Sequence, residues 1–317
     1  SIGLDWPTGP TIILSGGVFF ILMMVGRPLI AGFLTIAVSV VAFQSPKVEA
    51  AGLVPTRDQI LISNSYLKLF LNHLLTAKDD MQIQVLIPED QSVHNYQLKP
   101  SDLKKLKHAK IFIYTGSNED ESLKSQVASI NSGIKLVNVT QAIAPDLKKD
   151  EHFWLNPEVA PVILESLKAV LVTQRPELKD QLEQNLSQSK MSILNFLSVA
   201  KENFKAHKNK PIVINHNSLY FLNQLLGINS YFFIQSNSPS DIINFKKRLK
   251  DKSIPILKEY GAVNFLFDSL MKEQQRSFAG EVYGESLPLE HFESKNFLDV
   301  LKMNVDTISN VLAGQGK

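Results

Sequence analysis

Between Glu177 and Ala206 the chain runs for thirty residues without a glycine or a proline, directly after Pro176. Apolar residues stand at Leu178, Leu182, Leu186, Ile193, Phe196, Leu197 and Phe204, close to the period of a helix that buries one face. At 1.5 Å per residue such a helix is about 45 Å long. On either side of it, short β-rich apolar runs alternate with helical stretches. Candidate strands are Gln59–Ser63, Ile83–Ile87, Lys110–Tyr114 and Lys135–Val139 before it, and Pro211–Asn215, Tyr231–Ile234 and Ala262–Phe267 after it. Candidate helices are Ser65–Leu75, Ser101–Lys107, Pro157–Val172 and the neighbourhood of Glu259. Strand–helix alternation predicts an α/β fold with parallel sheets covered on both faces. The long helix then reads as a rigid spine joining two αβ lobes. The expected layout is an apolar segment over residues 1–50, an N-terminal lobe over 51–175, the spine over 176–206 and a C-terminal lobe over 207–317.

Composition limits what such a fold can do. With 44% apolar and 20% charged residues the bulk is a packed globular chain. A formal charge of +2 is too small a bias for a nucleic-acid surface, and no basic face interleaved with aromatics is visible. The densest basic run, Lys104-Lys105-Leu106-Lys107-His108, reads as the solvated side of a short helix. Cysteine is absent, which removes thiol catalysis, zinc–thiolate sites, disulfides and any lipid-modified cysteine from these residues.

The first fifty residues carry two apolar runs, Thr11–Val25 and Pro28–Phe43, separated by Gly26-Arg27. The second has the layout of a secretory signal: a start at Met24, the positive Arg27, an apolar Leu29–Phe43 and a small-residue cleavage site before Ala51. The alternative is a membrane hairpin with Arg27 on the cytoplasmic side, which leaves residues 1–50 as a tether. Asp5-Trp6-Pro7-Thr8-Gly9-Pro10-Thr11-Ile12-Ile13-Leu14 resembles the start of the last span of the permease that partners metal-binding proteins, so a permease fusion is a further reading. All of these readings export the chain after residue 50.

No local catalytic motif is present: no HExxH, GxSxG, P-loop or GxGxxG after a strand. Of the seven histidines, three occupy special places. His94 lies in a loop after Ile83–Ile87. His152 precedes Phe153-Trp154-Leu155-Asn156-Pro157 at a loop-to-helix entry, where Asn156 is suited to cap and Pro157 to the first turn. His216 follows Pro211–Asn215 directly, and Asp268 closes the expected strand Ala262–Phe267. Ligands of open αβ sheets gather beyond the carboxyl ends of strands, and these four candidate metal ligands stand at loop or strand ends.

Residues 59–312 carry motifs in an order that resembles the metal-specific solute-binding proteins of ABC importers, the zinc and manganese binding proteins. They are Pro88–Tyr96 with Lys99–Leu106, Asp150–Pro157, Ile212–His216 followed by Tyr220, Phe221 and Gly227, then Phe265-Leu266-Phe267-Asp268, and Phe297–Asn304. The resemblance implies two αβ lobes, a spine helix and a metal buried between the lobes through His94, His152, His216 and Asp268. It implies an exported, periplasmic receptor, acting as a monomer, that captures zinc, with manganese as the alternative, and delivers it to a membrane permease. Two departures stand out. No histidine-rich loop precedes His152, and His216 is followed by Asn217-Ser218 where the family usually has an aspartate and a small residue. Manganese-selective relatives tend to carry a carboxylate at the His216 position. Neutral imidazoles with one carboxylate suit zinc, and a closed four-ligand set leaves no position for a hydrolytic water. A metallohydrolase with an open zinc site, in which Glu151 would be the base, and a surface adhesin are the rival functions.

Overall fold

The computed structural model describes residues 59–89, 91, 96–148, 152–233, 239–288 and 295–314. The expected segment 1–50, with its signal, hairpin and fusion readings, lies outside the described residues, as does His94. Two compact units are distinguished. One comprises residues 1–57 and 98–104, of which the described part begins a helix, and the other holds everything else. Both sheets and all the features below belong to this second unit, except the first five residues of the helix Pro100–His108.

Its first sheet is built from β1 (Gln59–Asn64), β2 (Ile83–Ile87), β3 (Ala109–Tyr114) and β4 (Lys135–Asn138), in the order β2-β1-β3-β4. The second uses β5 (Pro211–Ile214), β6 (Asn229–Phe232), β7 (Ile256–Glu259) and β8 (Gly280–Val282), in the equivalent order β6-β5-β7-β8. Every pairing is parallel. Parallel strands need crossovers and are buried on both faces, which is why β1 and β3 read as nearly continuous apolar runs. The crossovers and flanks supply α1 (Tyr66–Leu74), α2 (Pro100–His108), α3 (Asn118–Ile130), α4 (Ala160–Gln174), α5 (Lys179–Asn203), α6 (Tyr220–Leu226), α7 (Pro239–Lys250), α8 (Phe265–Glu273) and α9 (Phe297–Leu312). The result is two parallel-sheet αβ lobes with a long helix between them in sequence.

That helix, α5, spans 25 residues, with short 3-10 turns at Pro176–Leu178 and Phe204–His207 completing the expected thirty-residue run. Leu182, Leu186, Ser189, Ile193, Leu197 and Ala200 form its buried stripe, spaced by three or four residues. It packs along α1, α4, α6 and α9, and its stripe joins a core that takes side chains from both lobes. A second core of Val213, Phe233, Phe245, Leu249, Ile256, Phe267 and Leu270 fills another part of the C-terminal lobe.

Two elements correct the sequence reading. Ala262–Phe267 is not a strand: Asn264 accepts the Phe267 N–H at 3.0 Å and starts α8, so that Phe267, Leu270 and Met271 turn inward at helical spacing. The neighbourhood of Glu259 is not a helix but the end of β7. Short apolar runs of this kind fit a buried strand and one turn of helix equally well, and the side-chain cap decides between them.

His73, near the end of α1, ties three helices together. Its Nε2 accepts the Leu298 N–H of α9 at 3.3 Å, so the proton sits on Nδ1 and faces the Ser189 hydroxyl of α5 at 3.1 Å. Burial pushes its pKa down from 6.5 to about 4, Asp299 acting upward and Lys302 downward. The fold therefore needs the neutral ring. Its contribution is complete above the unfolded-state value of 6.5 and is lost as pH falls from there to about 4. The expected loss over that interval is about 3 kcal/mol, and His73→Gln should abolish this part of the pH dependence. Urea midpoints at pH 7 and pH 4.5 check it: equal pH slopes in the two proteins would exclude this role.

Candidate metal centre

The strand order of the second sheet reverses between β5 and β7, since β5 leads outward to β6 on one side and β7 to β8 on the other. At such a switch point the carboxyl ends of neighbouring strands leave a crevice. Three side chains converge there. His216 lies two residues beyond β5, Glu285 lies three beyond β8, and His152 comes from the loop that leads into α4.

His152 heads the 3-10 turn Phe153–Leu155, where the Leu155 N–H bonds to its carbonyl at 2.8 Å. Phe153, Leu155 and Val159 are buried, which draws this turn, and His152 with it, out of solvent. Asn156 does not cap α4, as its place in the sequence suggested. Its side chain accepts the Glu158 N–H at 3.0 Å within the preceding turn, and α4 begins at Ala160. His152 is fully buried, and its Nε2 stands 2.9 Å from Oε1 of the nearly buried Glu285. The His152 and His216 rings meet edge to face, with centroids 4.9 Å apart at 86°.

His216 is held from behind by Glu259, the buried last residue of β7. Nδ1 of His216 lies 3.1 Å from Glu259 Oε2, which also accepts the Ser218 hydroxyl at 2.5 Å. A carboxylate only accepts, so the ring proton resides on Nδ1 and Nε2 is the ring nitrogen suited to ligate a metal. Burial works against a charge on His216, but the hydrogen bond and charge of Glu259, with Glu285 behind it, outweigh burial and raise its pKa above the usual histidine value. The other Glu259 oxygen accepts the Glu285 N–H at 3.2 Å, so one carboxylate orients both an imidazole and the loop that bears the second acid. Asn215 locks the strand ends: its amide donates to the Ala262 carbonyl at 3.0 Å and accepts the Glu259 N–H at 2.6 Å.

Glycine is required at two neighbouring points. Gly284 has no room for a Cβ, which would overlap the Ser218 hydroxyl and the Glu259 carboxylate. Gly261 adopts a left-handed φ of 75°, where a Cβ would come within 2.6 Å of the Ser286 Cβ. Tyr66, at the start of α1, is buried and its hydroxyl donates to the Tyr283 carbonyl at 3.5 Å. Burial, then Glu259 and Glu285, push its phenol far above the ordinary tyrosine range, so it stays a donor.

Among the described residues, His152, His216 and Glu285 form the group whose ligand atoms all lie within 4.8 Å of one another. Tetrahedral zinc at about 2.0–2.1 Å from each donor needs donor separations of about 3.4 Å, within reach of small side-chain rotations. The sequence-derived set is thus brought together only in part. His152 and His216 converge and His94 lies outside the described residues. Asp268 sits in the first turn of α8, exposed to solvent and outside the cluster. Its expected strand does not exist, and the carboxylate that meets the histidines is Glu285. Glu285 and Glu259 were missed because each follows or ends a strand of only three or four residues. The available signal was an acid at the end of an apolar run with a glycine close by: Glu259 two before Gly261, Glu285 one after Gly284.

The family model described as Zinc-uptake complex component A periplasmic (ZnuA) matches residues 60–311. A curated relative, the manganese ABC transporter substrate-binding lipoprotein PsaA of Streptococcus pneumoniae, is 22% identical and covers 80% of this chain and 88% of its own length. The iron ABC transporter substrate-binding lipoprotein MtsA of Streptococcus pyogenes serotype M1 is 21% identical, covering 75% and 84%. Among solved structures, a periplasmic metal binding protein from Candidatus Liberibacter asiaticus superposes with a TM-score of 0.65 at 22% identity, covering 80% of this chain and 99% of that one. A crystal structure of ZnuA gives 0.66 at 18% identity, covering 80% and 98%. These structures share the fold of two parallel-sheet αβ lobes. With the family model matched along most of its length, the chain belongs to the zinc-uptake complex component A periplasmic family.

Proposed function

We propose that this protein captures one divalent transition metal outside the cytoplasmic membrane and delivers it to the permease of an ABC importer. It is a binding protein and not an enzyme, as its relatives are substrate-binding components of transporters. The observation that carries the reading is the convergence of His152, His216 and Glu285 on one point, with Glu259 fixing the His216 tautomer. His152, His216 and Glu285 hold the cargo ion, and His94 supplies the fourth donor.

Zinc is the preferred cargo in this reading. Three imidazoles and one carboxylate form a nitrogen-rich set, and at such a set zinc lies well above manganese in intrinsic affinity. The relatives divide on this point: the family model is named for zinc, the two streptococcal relatives for manganese and iron, and the Candidatus Liberibacter protein has manganese- and cadmium-bound forms. At equal free concentrations zinc is expected to displace manganese by a factor of about 100 or more. A competition titration on metal-stripped protein, read by elemental analysis, tests both levels. Manganese retained against zinc would overturn the zinc assignment, and no stoichiometric metal at all would overturn the capture role.

A further inference from the structure

We propose that Asn304 is a positioning residue of the metal centre, fixing Glu285 through the backbone of Tyr283. The inference rests on Glu285 being a ligand. Asn304 stands on the inward face of α9 among Val300, Leu301, Val305 and Ile308, and is 1% exposed. An amide in such surroundings is costly unless both of its ends are bonded. Both ends engage one residue: Oδ1 accepts the Tyr283 N–H at 2.8 Å, and Nδ2 donates to the Tyr283 carbonyl at 2.7 Å.

Tyr283 directly follows β8, the outer strand of its sheet, and lies two residues before Glu285. The Asn304 amide thus supplies the bonds that a neighbouring strand would have made. The next two residues are held as well. Gly284 is pressed against Ser218 and Glu259, and the Glu285 N–H bonds to Glu259. With three successive backbone units fixed, Glu285 retains only its side-chain torsions, and its carboxylate is presented to His152 in one place. Bonding that served only to stabilise α9 would have no need to fall on the residue leading into the ligand loop. Tyr66 adds its hydroxyl to the same carbonyl from the other lobe.

The test is a double-mutant cycle on zinc affinity with Asn304→Leu and Glu285→Gln. Asn304→Leu is expected to weaken zinc binding by about 10- to 100-fold in the wild-type background. It is expected to have no measurable effect once Glu285→Gln has removed the group it positions. The near-isosteric Asn304→Asp keeps the acceptor for the Tyr283 N–H and loses the donor. It sets a second acceptor against the Tyr283 carbonyl, so it should give a loss with the same dependence on Glu285, and it carries the cycle if the leucine variant does not fold. Equal losses in both backgrounds, or no loss in the wild type, would overturn the positioning role. If Glu285→Gln alone leaves affinity unchanged, the ligand assignment fails first and the inference falls with it.

Discussion

His152→Ala is expected to lower zinc affinity by about 100- to 1,000-fold, while Asp268→Ala leaves it unchanged. Binding energies for four-ligand zinc sites run to roughly 10–16 kcal/mol, so one ligand accounts for about a quarter of that, and each 1.4 kcal/mol is tenfold. His152 is fully buried and its Nε2 faces Glu285, so alanine leaves a gap in which water has few partners. Glu285→Ala should cost a comparable factor. Asp268 points from an exposed turn of α8 and serves as the internal control. Calorimetric titration of the three variants separates the two carboxylates. A large loss at Asp268 with none at Glu285 would reverse the assignment.

Gly284→Ala is expected to damage stability and metal binding together, by about 1–3 kcal/mol and about 10- to 100-fold respectively. The added methyl would occupy the place of the Ser218 hydroxyl and a Glu259 oxygen. Neither can simply rotate away, because Ser218 bonds to Glu259 and Glu259 also holds His216 and the Glu285 N–H. Displacing Glu259 frees the His216 ring and loosens the Glu285 loop at once. Ser218→Ala in the same chain should restore part of the stability but little of the affinity, since the overlap with Glu259 remains. Thermal melts and zinc titrations of the single and double variants check this. Wild-type affinity in Gly284→Ala would mean that Glu259 can swing aside without consequence for the site.

Much of the fold was legible because its determinants are local. The absence of glycine and proline from 177 to 206, with apolar residues at helical spacing, is enough to specify α5. The β-branched runs at 59–64, 83–87 and 109–114 specify central parallel strands whichever partners they find. Less legible were β7 and β8, of four and three residues, whose identity comes from pairing in the sheet rather than from their own pattern. Phe265 and Leu266 misled in the opposite sense: they are apolar yet exposed, at 85% and 43%, because the Asn264 cap turns this face of α8 to solvent.

By itself the sequence determined that the chain is an α/β protein with a long central helix, and that His152 and His216 stand at element ends where ligands collect. Those features depend on residues within a few positions of one another. Which carboxylate joins them was decided only by the tertiary structure. Asp268 and Glu285 are both acids near short apolar runs, 17 residues apart. The parallel register of β5, β7 and β8 brings Glu259 and Glu285 to His216, while the start of α8 at Asn264 carries Asp268 away. A ligand's position is the sum of a crossover path and a sheet register, and neither is written in the few residues around the ligand itself.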